Sequence, residues 1–416
     1  SPNTISGEGL RRAQEGFRDN LLTKCKGLIV EMGNEPWGNT CNSSGCVDHN
    51  ADGFNNYITY RQWCRRIARA MKSTPGYDST KIWIAYSGRE PRPDHSYGLT
   101  ETMLQGSETD PDVLDMISLG GYLGGNLGYT PDIPKGNSEL EYYQNAFKAL
   151  VSNVEGLTKT MELDWEFQRK VRPFYFYESN VTTTEYSQRL GQALVVVDYA
   201  LTGNRAGLAF LSLFHLMGQR FGLVNGGVKN PLFHIAKYVN THVKGDVLKT
   251  TSQTIEKLAK VTLNNPVINT DPVSSFITHN NGVYAIALIS RDFSNDYQVQ
   301  INLPSDISNS TFGQKYVLTG ADFSTAVTSI ESASVNVNDK MIITVPKYSM
   351  VIITFGGSVL PNKSLPIGYT KYKKPTGLSV TDITENTIDP EELSYFATMT
   401  GGDRATNVDW QVSANG

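Results

Sequence analysis

The sequence lacks three features that would each assign it to a class of protein. It has no apolar run approaching the roughly 18 residues of a membrane-spanning helix, so we expect no membrane span. It has no excess of one charge, because 37 Lys and Arg stand against 41 Asp and Glu, for a net charge of −4. This balance argues against nucleic acid or an anionic membrane as the main partner. It also has no internal repeat or low-complexity tract, and its 416 residues suit two or three globular domains.

Cysteine is scarce, since the chain has four, all within its first 64 residues. Cys41 and Cys46 flank the turn-rich segment Asn-Ser-Ser-Gly, which favours a small disulfide loop. Four N-glycosylation sequons begin at Asn42, Asn180, Asn309 and Asn362. The cysteine pair and the sequons together favour an extracellular or cell-surface glycoprotein.

Two stretches resemble metal sites only in part. Residues 48–53, "DHNADG", begin like a calcium loop, but Thr59 stands where such a loop carries a bidentate Glu. The two close cysteines, with His49 and Cys64, are residue types that bind zinc. A disulfide accounts for the close cysteine pair without a metal, so we expect neither a metal nor a cofactor.

Apolar strands and helices alternate along residues 1–245. The predicted strands lie around 28–30, 81–87, 113–125, 173–180 and 206–216, and the predicted helices cover 8–24, 54–73, 138–164, 184–201 and 230–243. Such alternation is typical of a parallel sheet with right-handed crossovers. It amounts to five strand–helix units, where a closed α/β barrel has eight.

The pattern changes near residue 246. Short β-rich runs with turn signals between them follow as far as residue 357, which predicts an antiparallel β-sandwich over 246–357. Residues 358–374 are rich in Pro, Lys and Gly and are predicted to form a linker. The segment 375–416 resembles the start of an immunoglobulin- or fibronectin-like module.

The first predicted strand ends in an unusual motif. The run Leu28-Ile29-Val30 is typical of a strand buried on both faces, and Asn34-Glu35-Pro36-Trp37 follows it closely. A glutamate is rarely buried without a partner, and the carboxyl ends of the strands carry the chemistry of α/β barrels. Glu35 is therefore either a member of a structural ion pair or one half of an active site.

A second carboxylate stands at the end of another apolar strand. Glu178 closes the run "PFYFYESN" at 173–180, three strand–helix units after Glu35. Retaining glycoside hydrolysis needs two such groups about 5–5.5 Å apart, one as a protonated acid and one as an ionised nucleophile. The two glutamates therefore indicate a retaining hydrolase of glycosidic bonds, with roughly 5–6 Å between their carboxyl groups.

With these two glutamates, the sequence resembles the clan A glycoside hydrolases, whose barrels carry Asn-Glu at the end of the fourth strand and Glu at the end of the seventh. Asn34-Glu35 and Glu178 match those positions. The predicted sandwich resembles that of the arabinofuranosidase-, xylosidase- and agarase-like members, and the resemblance covers roughly residues 8–357. It implies an α/β fold made of strands 4–8 of a (β/α)8 barrel, then the sandwich and the start of the third module.

The resemblance also implies roles for individual residues. Glu35 would be the general acid/base and Glu178 the nucleophile, with a structural role or a degenerate site as the alternative for each. Asn34 would hydrogen-bond the sugar 2-hydroxyl, or else be a turn residue at the strand end. Tyr122 would donate to Glu178, or else pack at the rim of the barrel. Trp37 would stack on a sugar ring, or else act as a lid on the core.

The sequence departs from the clan pattern at two strands. Gly120-Gly121 precede Tyr122 where members often carry an aromatic or His-Tyr pair, and the eighth strand ends in Phe214-His215 where members often carry Trp. His215 is a candidate substrate-binding residue that would otherwise pack or face solvent. Further pocket candidates, each of which would more often pack or face solvent, are Arg89, Tyr129 and Trp165.

The resemblance leaves barrel strands 1–3 unaccounted for. Five parallel strands alone would leave an open sheet edge and an unfilled core. The chain begins Ser1-Pro2, so we expect a processed or partial product whose barrel is completed by a preceding segment or a partner chain. The other expected partner is a carbohydrate substrate.

Two functions from different classes fit these observations. The first is a secreted retaining hydrolase that cleaves a polysaccharide or oligosaccharide by double displacement with two Glu. The alternative is a non-catalytic glycan-binding or structural extracellular protein on a hydrolase scaffold. The sugar, the linkage and endo or exo action depend on loops rather than on the fold.

Overall fold

We describe the molecule from a computed structural model. The residues that the structure describes are 7–19, 28–32, 41–42, 45–46, 57–88, 103–105, 113–123, 136–168, 172–181, 183–218, 220–248, 258–262, 267–303, 312–356, 379–389, 392–400 and 408–411.

A five-stranded parallel sheet organises the first part of the described chain, as the sequence predicts. In chain order the strands up to residue 229 are β1 (Leu28–Met32), β2 (Cys41–Asn42), β3 (Gly45–Cys46), β4 (Ile82–Gly88), β5 (Met116–Leu123), β6 (Phe174–Val181), β7 (Leu208–Leu213), β8 (Val224–Asn225) and β9 (Val228–Lys229). The parallel sheet has the order β1-β4-β5-β6-β7, and the remaining strands form the hairpins β2–β3 and β8–β9. A sheet whose order follows the chain in this way is one wall of a (β/α) barrel.

Helices alternate with these strands. They are α1 (Gly7–Phe17), α2 (Tyr57–Lys72), α3 (Glu139–Gln168), α4 (Leu190–Arg205) and α5 (Pro231–His242). Helix α5 begins as predicted because Asn230 caps it, accepting a hydrogen bond from the backbone N–H of Phe233 at 3.1 Å. The next residue, Pro231, suits the first turn because its missing N–H would have no helical partner there.

Helix α4 begins six residues later than the sequence predicts, at Leu190 rather than residue 184. Residues 184–189 form turns instead. The hydroxyl of Ser187 donates to the carbonyl of Thr184 at 2.8 Å, and the hydroxyl of Thr183 accepts from the N–H of Glu185 at 3.3 Å. Such short-range bonds of Ser and Thr compete with helix formation, which explains the late start.

The two faces of the parallel sheet have different surroundings. On the outer face, residues such as Ile84 and Phe174 are fully buried in the main core together with the helices. A smaller cluster on the inner face consists of Ile29, Ala85, Met116, Tyr175 and Tyr177. Because side chains alternate between the two faces of a strand, the inner face corresponds to the bore of the barrel.

Antiparallel strands follow the barrel segment, as the sequence predicts. They are β10 (Asp246–Val247), β11 (Leu258–Thr262), β12 (Val267–Thr270), β13 (Val273–Asn280), β14 (Val283–Ser290), β15 (Tyr297–Asn302), β16 (Phe312–Thr319), β17 (Ser329–Asn336), β18 (Lys340–Val345) and β19 (Met350–Gly356). A six-stranded sheet has the order β10-β13-β14-β19-β16-β17, and β11–β12 and β15–β18 form separate pairs.

The central strands of the six-stranded sheet, β14 and β19, are buried on both faces. Through Ala287 and Ile352 one face joins the main core of the barrel helices. Through Ile286 and Leu288 the other face packs against Ile343 of the β15–β18 pair. The two layers form a β-sandwich, and burial on both faces explains why β14 is apolar along nearly its whole length.

Strand β13 is missing from the sequence prediction although its signal is present. It pairs with β14 across the turn Asn281-Gly282, whose φ angles are 50° and 80°. Asn and Gly are the residues that adopt positive φ most readily, so Asn-Gly between two β-rich runs indicates a two-residue hairpin.

The final described strands form a three-stranded antiparallel sheet. They are β20 (Ser379–Asp389), β21 (Glu392–Thr400) and β22 (Val408–Gln411). Their assignment to an immunoglobulin- or fibronectin-like module stays a prediction, and so do the domain boundaries at residues 246, 358 and 375. The predicted linker 358–374 lies outside the described residues.

A buried ion pair joins the barrel segment to the sandwich. Asp198 of α4 is fully buried, and its carboxylate accepts from Nε of Arg291, just after β14, at 2.6 Å and from Nη2 at 3.2 Å. The hydroxyls of Ser274 and Thr202 also donate to this carboxylate, at 2.7 and 2.9 Å. The hydrogen bonds offset the cost of removing both charges from water.

The hairpin β2–β3 places Cys41 directly opposite Cys46 in the backbone register. Their side chains lie outside the described residues, so the disulfide stays a prediction. We expect peptide mapping without reductant to find the two cysteines linked and unreactive toward alkylating agents. Replacing both by Ser should destabilise the protein by about 2 kcal/mol, since the closed loop is short. Alkylation of both thiols in the untreated protein would contradict the pairing and would remove this support for an extracellular location.

Helices long and apolar enough to span a membrane are absent from the part of the chain that the structure describes.

Candidate active site

Glu178 is half-buried and lies near the carboxyl end of β6. This is the end of the parallel strands at which the sequence places the site. Its position depends on a bulge. Leu119 of β5 pairs with Phe176, whereas the next residue, Gly120, pairs with Glu178, so β6 carries one extra residue, Tyr177. A bulge redirects the side chains that follow it. Glu178 pairs with Gly120, which lies on the same face of β5 as the inner-face residue Met116, so Glu178 belongs to the bore side of the sheet.

The strand end around Glu178 is fixed by buried polar groups. The hydroxyl of Ser179 donates to the carbonyl of Gly121. Asn180 donates through Nδ2 to the carbonyl of Phe214 at 2.5 Å and accepts from Nε2 of Gln192 at 2.6 Å. These bonds tie β6 to β5, to the end of β7 and to α4, which holds the Glu178 backbone in place.

The sequon at Asn180 is not a glycosylation site. Asn180 is fully buried, and the nitrogen that would carry a glycan is bonded to the Phe214 carbonyl. The sequon at Asn180 therefore gives no support to the prediction of a glycoprotein. A sequon records only local sequence, whereas attachment needs an exposed amide.

Aromatic side chains cluster at the strand end that carries Glu178. Tyr122 lies opposite Asn180 in the strand register, and its ring meets Phe214 and Phe221 edge-on, each at 6.4 Å between centroids. His215 stacks on Phe214 at 4.8 Å, and Phe214 itself is 39% exposed. The structure thus brings the predicted residues Tyr122 and His215 to the strand end that carries Glu178. A hydrogen bond from Tyr122 to Glu178 stays a prediction.

Several predicted site residues lie outside the described residues, namely Asn34, Glu35, Trp37, Arg89 and Tyr129. The 5–6 Å separation expected between the two glutamate carboxyl groups therefore stays a prediction. Strand β1, which leads to Asn34-Glu35 in the sequence, is the first strand of the same parallel sheet as β6.

Trp165 lies near the opposite end of the parallel strands, where they begin. Its neighbour Asp164 forms a buried ion pair with Arg172 at 2.6 Å, and Arg172 lies two residues before β6. Nη1 of Arg172 also reaches the carbonyl of Leu114, just before β5, at 3.5 Å. The end of α3 therefore stands at the amino ends of the strands, which removes Trp165 from the candidates.

Sequence reasoning missed a polar group inside the bore. Glu31 of β1 accepts a hydrogen bond from the hydroxyl of Tyr175 at 3.1 Å, across the intervening strands. Burial raises the pKa of Glu31 to about 6; the hydroxyls of Tyr175, Ser118 and Ser87 act to lower this pKa, and the nearby Glu178 charge adds to the increase. The available signal was a carboxylate alternating with Ile29 within an apolar strand.

Metal-binding groups of three or more His, Cys, Asp or Glu are not found among the residues that the structure describes. Cys64, one of the cysteines considered for zinc, is fully buried in α2. Burial raises the pKa of its thiol well above the usual range, which disfavours the thiolate that zinc requires. The calcium-like stretch 48–53 lies outside the described residues.

Solved structures share this fold. The α-L-arabinofuranosidase from Thermotoga maritima, solved with arabinose, matches with a TM-score of 0.59 at 15% identity, over 78% of this chain and 65% of that one. An arabinofuranosidase of glycoside hydrolase family 51 from Xanthomonas axonopodis pv. citri matches with a TM-score of 0.62 at 16% identity, over 85% and 74%. A family 44 xyloglucanase from Paenibacillus polymyxa matches with a TM-score of 0.52 at 11% identity, over 79% and 65%.

These matches confirm the resemblance to the barrel glycoside hydrolases at the level of the fold. No protein-family model matches the chain, and no curated protein matches it. The chain spans 65% of the length of the Thermotoga and Paenibacillus proteins. The fold is thus a partial (β/α) barrel with a β-sandwich, and its activity has to be argued from the site.

Proposed function

We propose that this protein is a retaining glycoside hydrolase in which Glu178 is the nucleophile and Glu35 the general acid/base. The observation that supports the proposal most directly is the position of Glu178 in the sheet. It is half-buried on the bore side at the carboxyl end of β6, in the sheet whose first strand leads to Asn34-Glu35. Ligand chemistry of α/β barrels is located at this edge.

The reaction would proceed in two displacements. A carboxylate oxygen of Glu178 forms a bond to the anomeric carbon while the glycosidic C–O bond breaks, and Glu35 gives its proton to the departing oxygen. Glu35 then takes a proton from water, whose oxygen attacks the anomeric carbon and releases Glu178. Asn34 would hold the sugar 2-hydroxyl, while Tyr122, His215 and Trp37 would contact the sugar.

The inner face of the sheet supports the proposal that further polypeptide completes the barrel. Trp83 of β4 and Phe210 of β7 are 42% and 40% exposed, and Phe210 stacks on the inner-face residue Tyr175 at 4.6 Å. Large aromatic side chains in a barrel bore are normally covered by side chains of the other strands. We infer that a preceding segment or a partner chain supplies the remaining three strands of an eight-stranded barrel.

The substrate is proposed to be a polysaccharide or oligosaccharide outside the cell. The fold neighbours include arabinofuranosidases and a xyloglucanase. Arabinofuranosyl, xylosyl and glucosyl compounds are therefore the first substrates to test on this protein.

Covalent labelling tests the proposal directly. The full-length protein is incubated with activated 2-deoxy-2-fluoro glycosides of these sugars, which trap a glycosyl-enzyme because the fluorine slows its hydrolysis. We expect a mass increase of one glycosyl unit, located by peptide mapping on the peptide that contains Glu178. If no probe labels Glu178 and no aryl glycoside or polysaccharide is cleaved, the protein is a glycan-binding or structural component on a hydrolase scaffold.

A further inference from the structure

A third carboxyl, that of Glu31, lies in the bore of the half-barrel. In the strand register Glu31 pairs with Ala85 and Ala85 pairs with Met116, whereas Glu178 pairs with Gly120 of the same strand β5. Glu31 therefore lies on the amino-terminal side of Glu178 in the sheet. The charge of Glu178 nevertheless reaches it.

The two oxygens of Glu31 differ in their surroundings. Oε2 accepts the hydrogen bond from the Tyr175 hydroxyl at 3.1 Å. Oε1 is buried and has no hydrogen-bond partner among the described residues, and the same holds for the hydroxyl of Ser87, which faces the carboxyl. An ionised carboxylate with a bare buried oxygen is costly, whereas a protonated one needs fewer partners.

Among the described residues, the groups that act on Glu31 supply no positive charge. It is faced by Ser87 of β4, Ser118 of β5, and Tyr175 and Glu178 of β6. Tyr60 of α2 is also close, since the charge of Glu31 helps to raise the pKa of the Tyr60 hydroxyl. These neighbours are hydroxyls or a carboxylate, so burial and repulsion both favour the protonated form of Glu31.

We propose that Glu31 is protonated at mildly acidic pH and is, in that form, a positioning residue for Glu178. This inference rests on the proposed function. With Oε2 accepting from Tyr175, the proton resides on Oε1 and is offered to the bore as a hydrogen-bond donor. Two carboxylates in one cavity do not ionise together easily, so a neutral Glu31 leaves Glu178 as the one that carries the charge.

The pH dependence of stability tests the protonation of Glu31 without any assay of activity. The pKa of Glu31 is raised from its ordinary 4.5 to about 6 in the folded protein. The stability gained by holding this proton is therefore complete below about pH 4.5 and is lost as the pH rises through 6. We expect Glu31→Gln, which keeps a neutral side chain of the same shape, to melt with the wild type at pH 4.5 and at a higher temperature than the wild type at pH 7.5.

Two variants of the full-length protein complete the melting experiment. Tyr175→Phe should move the wild-type loss of stability to higher pH, because donation by the hydroxyl lowers the pKa of Glu31. Glu331→Gln, at an exposed position of β17 in the sandwich, should follow the wild type at every pH. If Glu31→Gln melts below the wild type at pH 7.5, the ionised form of Glu31 stabilises the fold, and the inference is overturned.

The positioning role is tested by the rate at which an activated 2-fluoro glycoside labels Glu178. An activated leaving group needs no proton from Glu35. A fall in the labelling rate near pH 6 would therefore report on the ionisation of Glu31. We expect labelling of the wild type to slow by about tenfold above pH 6, because a second negative charge then opposes the ionised form of Glu178, while Glu31→Gln shows no such decline.

Parallel pH profiles for the two proteins would overturn the positioning role. If the wild type takes no label at any pH, the proposed function fails and the positioning role fails with it. The melting curves would still decide whether Glu31 is protonated.

Discussion

Replacement of Glu178 by Gln is expected to lower kcat/KM on aryl glycosides by at least about 10³-fold and to abolish the glycosyl-enzyme. The amide is nearly isosteric with the carboxylate, but it cannot supply the negative oxygen that attacks the anomeric carbon. Melting temperature and circular dichroism should stay at the wild-type values, because Ser179 and Asn180 continue to fix the strand end. The measurements are steady-state kinetics and intact mass after incubation with a 2-fluoro glycoside.

Glu35→Ala should give a different pattern, which makes the pair of variants more informative than either alone. Substrates with poor leaving groups should slow most, because only they need a proton as the aglycone departs. Azide should partly restore turnover, since a small anion can attack the glycosyl-enzyme without a general base. Glu331→Gln serves as the control for loss of an exposed glutamate. Equal losses on all substrates and no azide rescue would argue that Glu35 has only a structural role.

Asp198→Ala is expected to destabilise the protein by about 3–5 kcal/mol, because it leaves the Arg291 guanidinium buried beside α4 without its counter-charge. The side chains of the pair are 0% and 8% exposed. The double variant Asp198→Ala, Arg291→Met should recover part of the loss, since it removes the uncompensated charge as well. Chemical denaturation of the four members of this cycle measures the coupling.

The matched control is an exposed ion pair on α1. Arg11 and Glu15 are 55% and 41% exposed and stand four residues apart. Glu15→Ala should change stability by at most about 0.5 kcal/mol, because water and salt screen such pairs. A similar loss from Asp198→Ala would show that the junction between α4 and the sandwich does not depend on this ion pair.

The sequence by itself determined the order and type of the five parallel-sheet strands and the five helices up to α5. Runs buried on both faces, such as Phe174–Val181, and the Asn230-Pro231 start of α5 are local signals, and local signals survive without knowledge of the fold. It also placed Glu178 at a strand end, because a carboxylate that closes an apolar strand conflicts with simple burial. The hairpin turn Asn281-Gly282 is likewise a local signal in the sequence.

The tertiary structure alone decided which side chains meet. Asp198 and Arg291 lie 93 residues apart, and neither segment indicates the other. Asn180 is a sequon in the sequence and a buried bridge between strands in the fold. Glu31 could only be recognised as a bore residue once its strand was paired with β4 and its carboxyl met Tyr175. The physical reason is that periodicity sets the face of an element on which a residue lies, whereas its partner, burial and pKa depend on chain segments that are distant in sequence.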